Sequence, residues 1–244
     1  MNVLYKNKDW LEKRYSNFGC SSIAKECLVS EKTIIYWLKK FSIKIRSRSE
    51  SLRITKAKKG SVNEKYFEKI DSEEKAYWLG FLMADGCVRE YRKGCFQTSF
   101  ELSHKDVKVL KKFKKDIEFS GTILKNKTLI GGKRARIIIN NSNFSYALIN
   151  HGVIPNKTGR ESIPPIKRTL LKDFIRGFFD GDGCIMVKFG VKRKIRAKVH
   201  FVGNSYSCLK QIKDFFIENN IQLSEKSLHL KTNSCQTYEL ETSS

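Results

Sequence analysis

Two ten-residue segments of similar pattern, about a hundred residues apart, constrain the fold of this chain more than any other feature. The first, at 77–86, reads YWLGFLMADG, and the second, at 174–183, reads FIRGFFDGDG. Strand-like runs, an amphipathic helix and two further strands follow each segment in the same order. The repeat predicts an α+β fold built from two pseudo-symmetric αββαββ halves, with an additional helix around 144–150 after the first half.

Small residues stand one helical turn apart in both segments. Such spacing lets two helix backbones approach more closely than leucine side chains would allow. The two helices are therefore expected to pair across a pseudo-twofold axis. The predicted interface residues are Gly80, Ala84, Gly177 and Gly181.

An aspartate and a glycine end each segment. Asp85 and Asp182 are expected to emerge side by side at the ends of the paired helices, where the following glycine permits a sharp turn into a strand. A carboxylate at the C-terminal end of a helix opposes the helix dipole, so a structural role explains this position poorly. Two carboxylates beside a polyanion are instead the ligands of a divalent metal site.

The charge balance indicates the class of partner. The chain has 48 Lys and Arg against 25 Asp and Glu, a net charge of +23, which favours nucleic acid as the partner. Its seven cysteines include no C-x-x-C pair, so neither a zinc site nor a disulfide framework is expected. The N-terminus lacks the apolar stretch of a signal peptide, and no run reaches membrane-spanning length. These features predict a protein of the reducing cytoplasm or an organellar matrix, without membrane contact.

Residues 1–42 are predicted to form a separate small all-α domain of three short helices. The third begins at the candidate N-cap Ser30, and residues 22–34 resemble a helix-turn-helix, although Leu28 stands where glycine is usual. A generic three-helix bundle is the alternative. As a helix-turn-helix, the domain would contact DNA through Lys32, Tyr36 and Lys39.

Residues 43–66 are rich in Lys and Arg and show no apolar periodicity. They are predicted to form a basic linker that lies along phosphates, with Arg46 and Arg48 among its contacts. The alternative is a linker that is merely solvated.

From about residue 70 onward, the sequence resembles the LAGLIDADG homing endonuclease family, whose nine-residue motif matches 78–86 and 175–183. The resemblance implies a monomeric, site-specific endonuclease with halves at 67–160 and 161–244, acting on a long duplex DNA target with Mg²⁺ or another divalent cation. It also implies that Asp85 and Asp182 each bind metal. Asp180 would serve the interface or a cap, because its counterpart Met83 cannot bind a hard metal.

Further site residues follow from the same resemblance. His104 and Lys105 match the place, after the second strand, of residues that order the attacking water, and Asn204 is their counterpart in the second half. Helix capping by Ser103 or Asn204 is the alternative. Lys157 matches a lysine that approaches the active site, with an ordinary solvated lysine as the alternative.

The strands match the sheet with which the family contacts DNA. In 194–201 apolar residues alternate with basic ones, and 96–102 alternate in the same way, so one face is core and the other polar. A solvated face of mixed charge is the alternative, favoured by Glu101 and Glu239. The predicted DNA contacts of the sheets are Gln97, Ser99, Arg134, Arg136, Lys194, Arg196, Lys198 and His200.

Two other functions remain open. A non-cleaving DNA-binding regulator would bind through the same surfaces, and an intron RNA maturase would use the same fold to hold its own intron RNA. Retention of both aspartates favours cleavage. Relatives continue past the fourth strand of the second half into closing helices, which this half is expected to lack.

Overall fold

The computed structural model describes residues 3–47, 50–51, 60–127, 131–189, 195–221, 223, 227–232 and 236–243. Contacts between Cα atoms divide the chain into two compact units, 1–61 and 62–244. The last residues of the predicted linker belong to the second unit, because Tyr66 and Phe67 are buried in its core.

The first unit contains three helices, α1 (Lys8–Asn17), α2 (Cys20–Cys27) and α3 (Glu31–Lys40). The side chains of Asn7 and Ser30 cap α1 and α3 by accepting hydrogen bonds from the backbone N–H groups of Trp10 and Thr33. Leu28 ends α2 in the left-handed conformation, with φ of 56°, and its side chain is 92% exposed. The core of this unit is formed by Leu11, Tyr15, Ile23, Ala24, Cys27, Ile34 and Leu38.

Arg46, predicted as a linker residue that contacts phosphate, lies in the first unit, where its side chain is engaged with the protein. Its guanidinium donates hydrogen bonds to the carbonyl groups of Tyr15 and Phe18 and lies 3.9 Å from the centre of the Tyr15 ring. Its backbone N–H donates to the Tyr15 hydroxyl. The guanidinium therefore holds the segment after α3 against α1. Arg48 lies outside the described residues.

The first half of the second unit begins with helix α4 (Glu73–Asp85), followed by strands β1 (Gly86–Arg92) and β2 (Cys95–Ser103). A 3-10 turn (His104–Asp106) leads into helix α5 (Val107–Asp116). Strands β3 (Leu124–Lys127) and β4 (Lys133–Ile139) precede helix α6 (Ser142–Asn150). The four strands form an antiparallel sheet in the order β1-β2-β4-β3.

The second half repeats this order with helix α7 (Arg168–Asp182), strands β5 (Gly183–Phe189) and β6 (Ile195–Gly203), and helix α8 (Tyr206–Glu218). Strands β7 (Leu228–Thr232) and β8 (Thr237–Ser243) complete a second antiparallel sheet, ordered β5-β6-β8-β7. The predicted fold class, α+β with two pseudo-symmetric halves, is confirmed.

The strand registers match between the halves. Gly86 lies opposite Phe100 in the first sheet, and Gly183 lies opposite Phe201 in the second. Phe100 and Phe201 in turn lie opposite Ile137 and Leu240, and all four of these side chains are buried. Each sheet therefore has an inner apolar face that packs on helices and an outer face that carries its polar side chains.

Helices α4 and α7 pack together through their glycines. A Cβ placed on Gly80 would lie 1.9 Å from the carbonyl oxygen of Phe174, and one on Gly177 would lie 1.9 Å from that of Tyr77. A Cβ on Gly181 would come within 2.4 Å of the Ala84 Cβ. Only glycine permits backbones to approach this closely, so the spacing of small residues determines how the two halves meet.

The inner faces of the two sheets are covered unequally. In the first half, Val88 and Thr98 are buried, and α6 covers Thr98, whose hydroxyl is 2.8 Å from that of Ser145. In the second half, Ile185 and Val187 are 62% and 51% exposed. None of the described helices combines the length and apolar character needed to span a membrane.

Candidate active site and nucleic-acid faces

The two aspartates occupy equivalent positions at the C-terminal ends of α4 and α7. Gly86 and Gly183 follow them in extended conformation and begin β1 and β5. The ends of the two helices are close together, since a Cβ on Gly181 would lie 3.3 Å from the Asp85 Oδ2. The repeat therefore brings both carboxylates to the centre of the second unit.

Asp85 lines a depression of about 930 Å³ on the side of the first half. The end of β2, the 3-10 turn after it and the start of β4 form much of its wall. The turn is set by Ser103, whose hydroxyl accepts a hydrogen bond from the Lys105 backbone N–H. The polar residues of the depression are Tyr77, Glu101, Ser103, His104, Lys105, Asp106, Lys133, Arg134 and Asp180.

Asp182 lines a smaller depression, of about 310 Å³, on the side of the second half. Asn204 and Ser205 line it at the end of β6, the position that corresponds to Ser103 and His104. Ser205, rather than Asn204, caps the following helix by accepting from the Cys208 backbone N–H. Lys157 and Glu161 also line this depression.

Lys157 connects the loop after α6 to the end of α4. Its ammonium donates a 2.8 Å hydrogen bond to the carbonyl oxygen of Ala84, the residue before Asp85. The same charge acts on the carboxylates of both Asp85 and Asp182. The Lys157 side chain is half-buried and hydrogen-bonded, which differs from the ordinary solvated lysine given as the alternative.

The electrostatic environment raises the pKa of both aspartates. Their side chains reach solvent, but the surrounding protein removes part of their hydration. This loss raises the pKa of Asp85, against the opposing charges of Lys157 and Arg134. Loss of hydration, together with the charges of Asp85 and Glu161, raises the pKa of Asp182 to about 6, and Lys157 opposes this shift.

Asp180 takes part in the contact between the paired helices. Its Oδ2 accepts a 2.7 Å hydrogen bond from the hydroxyl of Tyr77. The equivalent Met83 is buried, with 1% exposure. Within the described residues, no three His, Cys, Asp or Glu side chains converge as a metal-binding group. Asp85 and Asp182 lie at the adjacent ends of the paired helices, one in each depression.

The outer face of the first sheet carries two arginines around one carboxylate. Glu101 accepts from Arg134 at 3.3 Å, and its other oxygen lies 3.7 Å from the Nε of Arg136. Gln97, also on this face, donates to the side chain of Asn140. Ser99 lies between Gln97 and Glu101 and is half-buried. The two arginines give this face an excess of positive charge, and Glu101 fixes the positions of their side chains.

On the outer face of the second sheet, the described basic side chains are paired with carboxylates. Lys198 pairs with Glu241 at 3.0 Å, and Glu239 accepts from the Nδ1 of His200 at 2.6 Å. His200, predicted to project from this face toward DNA, is only 6% exposed. Neighbouring carboxylates cover it. Lys194 lies outside the described residues, and for Arg196 only the backbone, in β6, is described.

The predicted contacts of the first unit lie on one exposed surface of α3. Lys32 and Lys39 are exposed, and Tyr36 is 59% exposed and packs edge-on against Trp37. Ile34 and Leu38, on the opposite side of the helix, are fully buried. Amphipathic spacing thus separates the core of this unit from its charged surface.

Two residues of the depressions, Glu161 and Tyr77, are not predicted from the sequence. Glu161 lies beside Asp182, where its backbone carbonyl accepts a 2.6 Å hydrogen bond from the Ser205 hydroxyl and its Oε2 is buried. Tyr77 connects α4 to Asp180 of α7. The position of Glu161 four residues after Lys157 is the one signal in the sequence that associates it with this loop.

No protein-family model matches the chain, and no curated protein sequence matches it. Among solved structures, the chain is similar to the LAGLIDADG meganuclease I-AabMI bound to uncleaved DNA, with 12% identity, a TM-score of 0.45, and coverage of 69% of this chain and 78% of the other. It is also similar to an I-DmoI variant in complex with its target DNA in the presence of Mn. That match has 12% identity, a TM-score of 0.45, and coverage of 75% and 88%. A third structure, I-SmaMI bound to an uncleaved DNA target with calcium ions, has 13% identity, a TM-score of 0.43, and coverage of 69% and 79%.

Proposed function

We propose that the chain is a metal-dependent endonuclease that hydrolyses duplex DNA at a specific site, in the manner of the LAGLIDADG homing endonucleases. The observation that carries this proposal is the placement of Asp85 and Asp182 at matched helix ends, with Lys157 acting on both. A carboxylate pair between two sheets whose outer faces are polar suits a substrate that crosses both halves. The net charge of +23 supports a polyanionic substrate.

The donor set fits a hard divalent cation such as Mg²⁺. Asp85 and Asp182 supply carboxylate oxygens, and the remaining positions would be taken by phosphate oxygens and water. A cation bound there would lower the pKa of a water molecule and offset negative charge on the phosphate. Cysteine and histidine are absent from this pair, which is consistent with an oxygen-binding metal rather than zinc.

The surrounding side chains have separable roles. Lys157 holds the end of α4 and helps to keep both carboxylates ionised. His104 and Lys105 on one side, and Asn204 on the other, are placed to orient water and phosphate oxygens by hydrogen bonding. The two depressions, one for each aspartate, would each receive one strand of the duplex.

The outer faces of the sheets would contact the duplex on either side of the cut. Arg134 and Arg136 have the geometry to bind guanine edges or phosphates, with Glu101 fixing their positions. The first unit would add affinity as a helix-turn-helix through Lys32, Tyr36 and Lys39 on α3, tethered by the basic linker.

Cleavage of a pooled target library tests the proposal. The protein is incubated with plasmids that carry randomised or genomic inserts, with Mg²⁺ or with EDTA, and the new DNA ends are sequenced. Recurrent ends at one sequence, formed only with the metal, are expected. D85N and D182N should each lose cleavage at that site by at least about a hundredfold, with binding nearly unchanged, because each removes one ligand charge. Full activity in either variant contradicts the proposal.

The same experiment separates the two other functions. Selective binding to duplex DNA without new ends in any metal would identify a DNA-binding regulator. Tighter binding to a structured intron RNA than to duplex DNA would identify a maturase. The retained carboxylates favour the endonuclease over both.

A further inference from the structure

Helix α5 carries an unusual concentration of positive charge. Five of its ten residues are lysines, and its one acidic residue, Asp116, accepts a 2.9 Å hydrogen bond from the Trp78 indole. Among the described side chains, no ion pair joins any of these lysines to a carboxylate. The lysines are Lys108, Lys111, Lys112, Lys114 and Lys115, and we call their surface the α5 ridge.

The internal repeat provides a control for this charge. Helix α8 has the equivalent position and the same packing role, with Phe216 5.8 Å from Phe201 where Phe113 is 5.3 Å from Phe100. Yet α8 has two lysines and two acidic residues. Lys210 pairs with Asp214, and Glu218 pairs with Arg168. Packing in this fold therefore does not require a basic helix.

Helix stability does not explain the α5 ridge either. Lys114 and Lys115 lie in the last turn, where cations interact favourably with the helix dipole. Lys108 lies in the first turn of the helix, where the same dipole disfavours a cation. Like charges three and four residues apart also repel one another. Their presence has a cost to the isolated helix that a polyanionic partner would remove.

The side of α5 that carries Lys108, Lys111 and Lys115 points away from the proposed DNA-contacting face, whereas Lys112 lies over the rings of Tyr77 and Trp78. Helix α5 packs through Leu110 and Phe113 on the inner face of the first sheet, against Phe100. Glu101 and Arg134 are on the outer face of that same sheet. A duplex on the outer face is separated from the α5 ridge by the sheet and the buried core. The two charged surfaces can therefore hold separate molecules.

We propose that the α5 ridge binds the phosphate backbone of a second DNA duplex while the first lies on the outer faces of the sheets. This inference rests on the proposed DNA-binding function but not on cleavage. Lys108, Lys111 and Lys115 share one side of the helix and span about 10 Å, which corresponds to roughly three base-pair steps of 3.4 Å along the axis of a duplex. Lysine ammonium groups bind phosphate without reading sequence. The ridge thus allows direct transfer of the protein from one DNA segment to another.

Dissociation from DNA of arbitrary sequence tests this proposal. The full chain, in EDTA, is loaded on a short fluorescent duplex and mixed with rising concentrations of unlabelled duplex. In direct transfer, the dissociation rate rises with competitor concentration. The variant K108Q/K111Q should lower that dependence by about threefold or more, while its Kd for a single duplex stays within about twofold, because the outer faces are intact. The matched control K210Q/K213Q on α8 should retain the dependence.

Several results would overturn the inference. Unchanged transfer in both K108Q/K111Q and the stronger variant K108E/K111E/K112E/K115E, with folding verified by circular dichroism, shows that the ridge is not used. An equal loss of single-duplex affinity and transfer places the ridge on the first duplex. Acceleration by duplex RNA alone excludes DNA as the second ligand. Failure of the wild-type chain to bind duplex DNA at all overturns both this inference and the proposed function, whereas binding without transfer overturns only this one.

Discussion

The ammonium of Lys157 donates its hydrogen bond to the carbonyl oxygen of Ala84, at 2.8 Å, and so lies one residue from the carboxylate of Asp85. This contact satisfies a carbonyl at the open end of α4, where no further helical N–H is available. It also places a positive charge near two carboxylates whose pKa values are raised by loss of hydration. Helix capping and electrostatic control are thus combined in one side chain.

Replacement of Lys157 should shift the pH dependence of cleavage. Without its charge, the pKa of both aspartates rises further, so K157M should move the midpoint of the cleavage rate upward by about half a pH unit or more. Rates measured from pH 5 to pH 9 on a selected target check this. The control K172M removes an exposed lysine at the start of α7 and should leave the midpoint in place. An unchanged midpoint in K157M would separate Lys157 from the carboxylates.

The raised pKa of Asp182 has a consequence for stability. Its value of about 6 in the folded chain exceeds the roughly 4 of an unfolded aspartate. Between these two pH values the folded state therefore binds more protons than the unfolded state. The contribution of protonated Asp182 to stability is present at low pH and is lost as the pH rises through about 6. At pH 7.5, D182N should melt higher than wild type by ~1–2 °C. Below about pH 4 the difference should vanish, since both states are then protonated. A lower Tm of D182N at pH 7.5 contradicts this electrostatic description.

The contact between α4 and α7 should tolerate no side chain at its glycines. In G80A or G177A the new methyl would overlap a backbone carbonyl, and the helices would have to separate. We expect each variant to lose about 3 kcal/mol or more of unfolding free energy. Chemical denaturation measures this loss. The control G203A, whose Cβ would meet its nearest atom at 3.9 Å, should lose far less. A near-neutral G80A would show that the helices are not in contact there.

Arg46 should act on folding of the first unit rather than by direct contact with DNA. R46M removes the hydrogen bonds to two carbonyl groups and the stacking on Tyr15, and we expect a loss of about 1–3 kcal/mol. Thermal melting followed by circular dichroism, together with DNA affinity at low temperature, distinguishes the two roles. At temperatures where R46M is folded, its affinity for DNA should return to that of the wild type. K44M, which alters an exposed neighbour, serves as the control. Weak binding by fully folded R46M would instead support the phosphate contact.

Much of the fold could be predicted from the sequence because the decisive signals are local. The small residues at 80, 84, 177 and 181 and the alternation in β2 and β6 each act over one element. Contacts between distant segments gave no such signal. In the sequence, Arg46 cannot be distinguished from the other basic residues of the linker. Only the fold brings it beside the carbonyl groups of Tyr15 and Phe18. His200 reads as an exposed strand residue until Glu239, on β8, covers it.

The site was predictable to the extent that it repeats. Asp85 and Asp182 stand out because the pattern occurs twice, and Ser103 and Asn204 follow by the same equivalence. Glu161 has no such counterpart, and its place beside Asp182 depends on a loop conformation held by the Ser205 hydroxyl. The side chain that caps α8 also differs by one residue from the predicted Asn204, because helix boundaries are poorly defined by sequence.

The outer faces of the two sheets carry opposite charges at one pair of equivalent positions. Arg136 precedes Ile137 on β4, and Glu239 precedes Leu240 on β8, so one half presents a donor where the other presents an acceptor. A DNA palindrome offers the same groups to both halves and cannot satisfy the two faces equally. A duplex bound across both faces would therefore bind in one orientation relative to the two halves. Any cut made between the two faces would then have a fixed orientation along the chromosome.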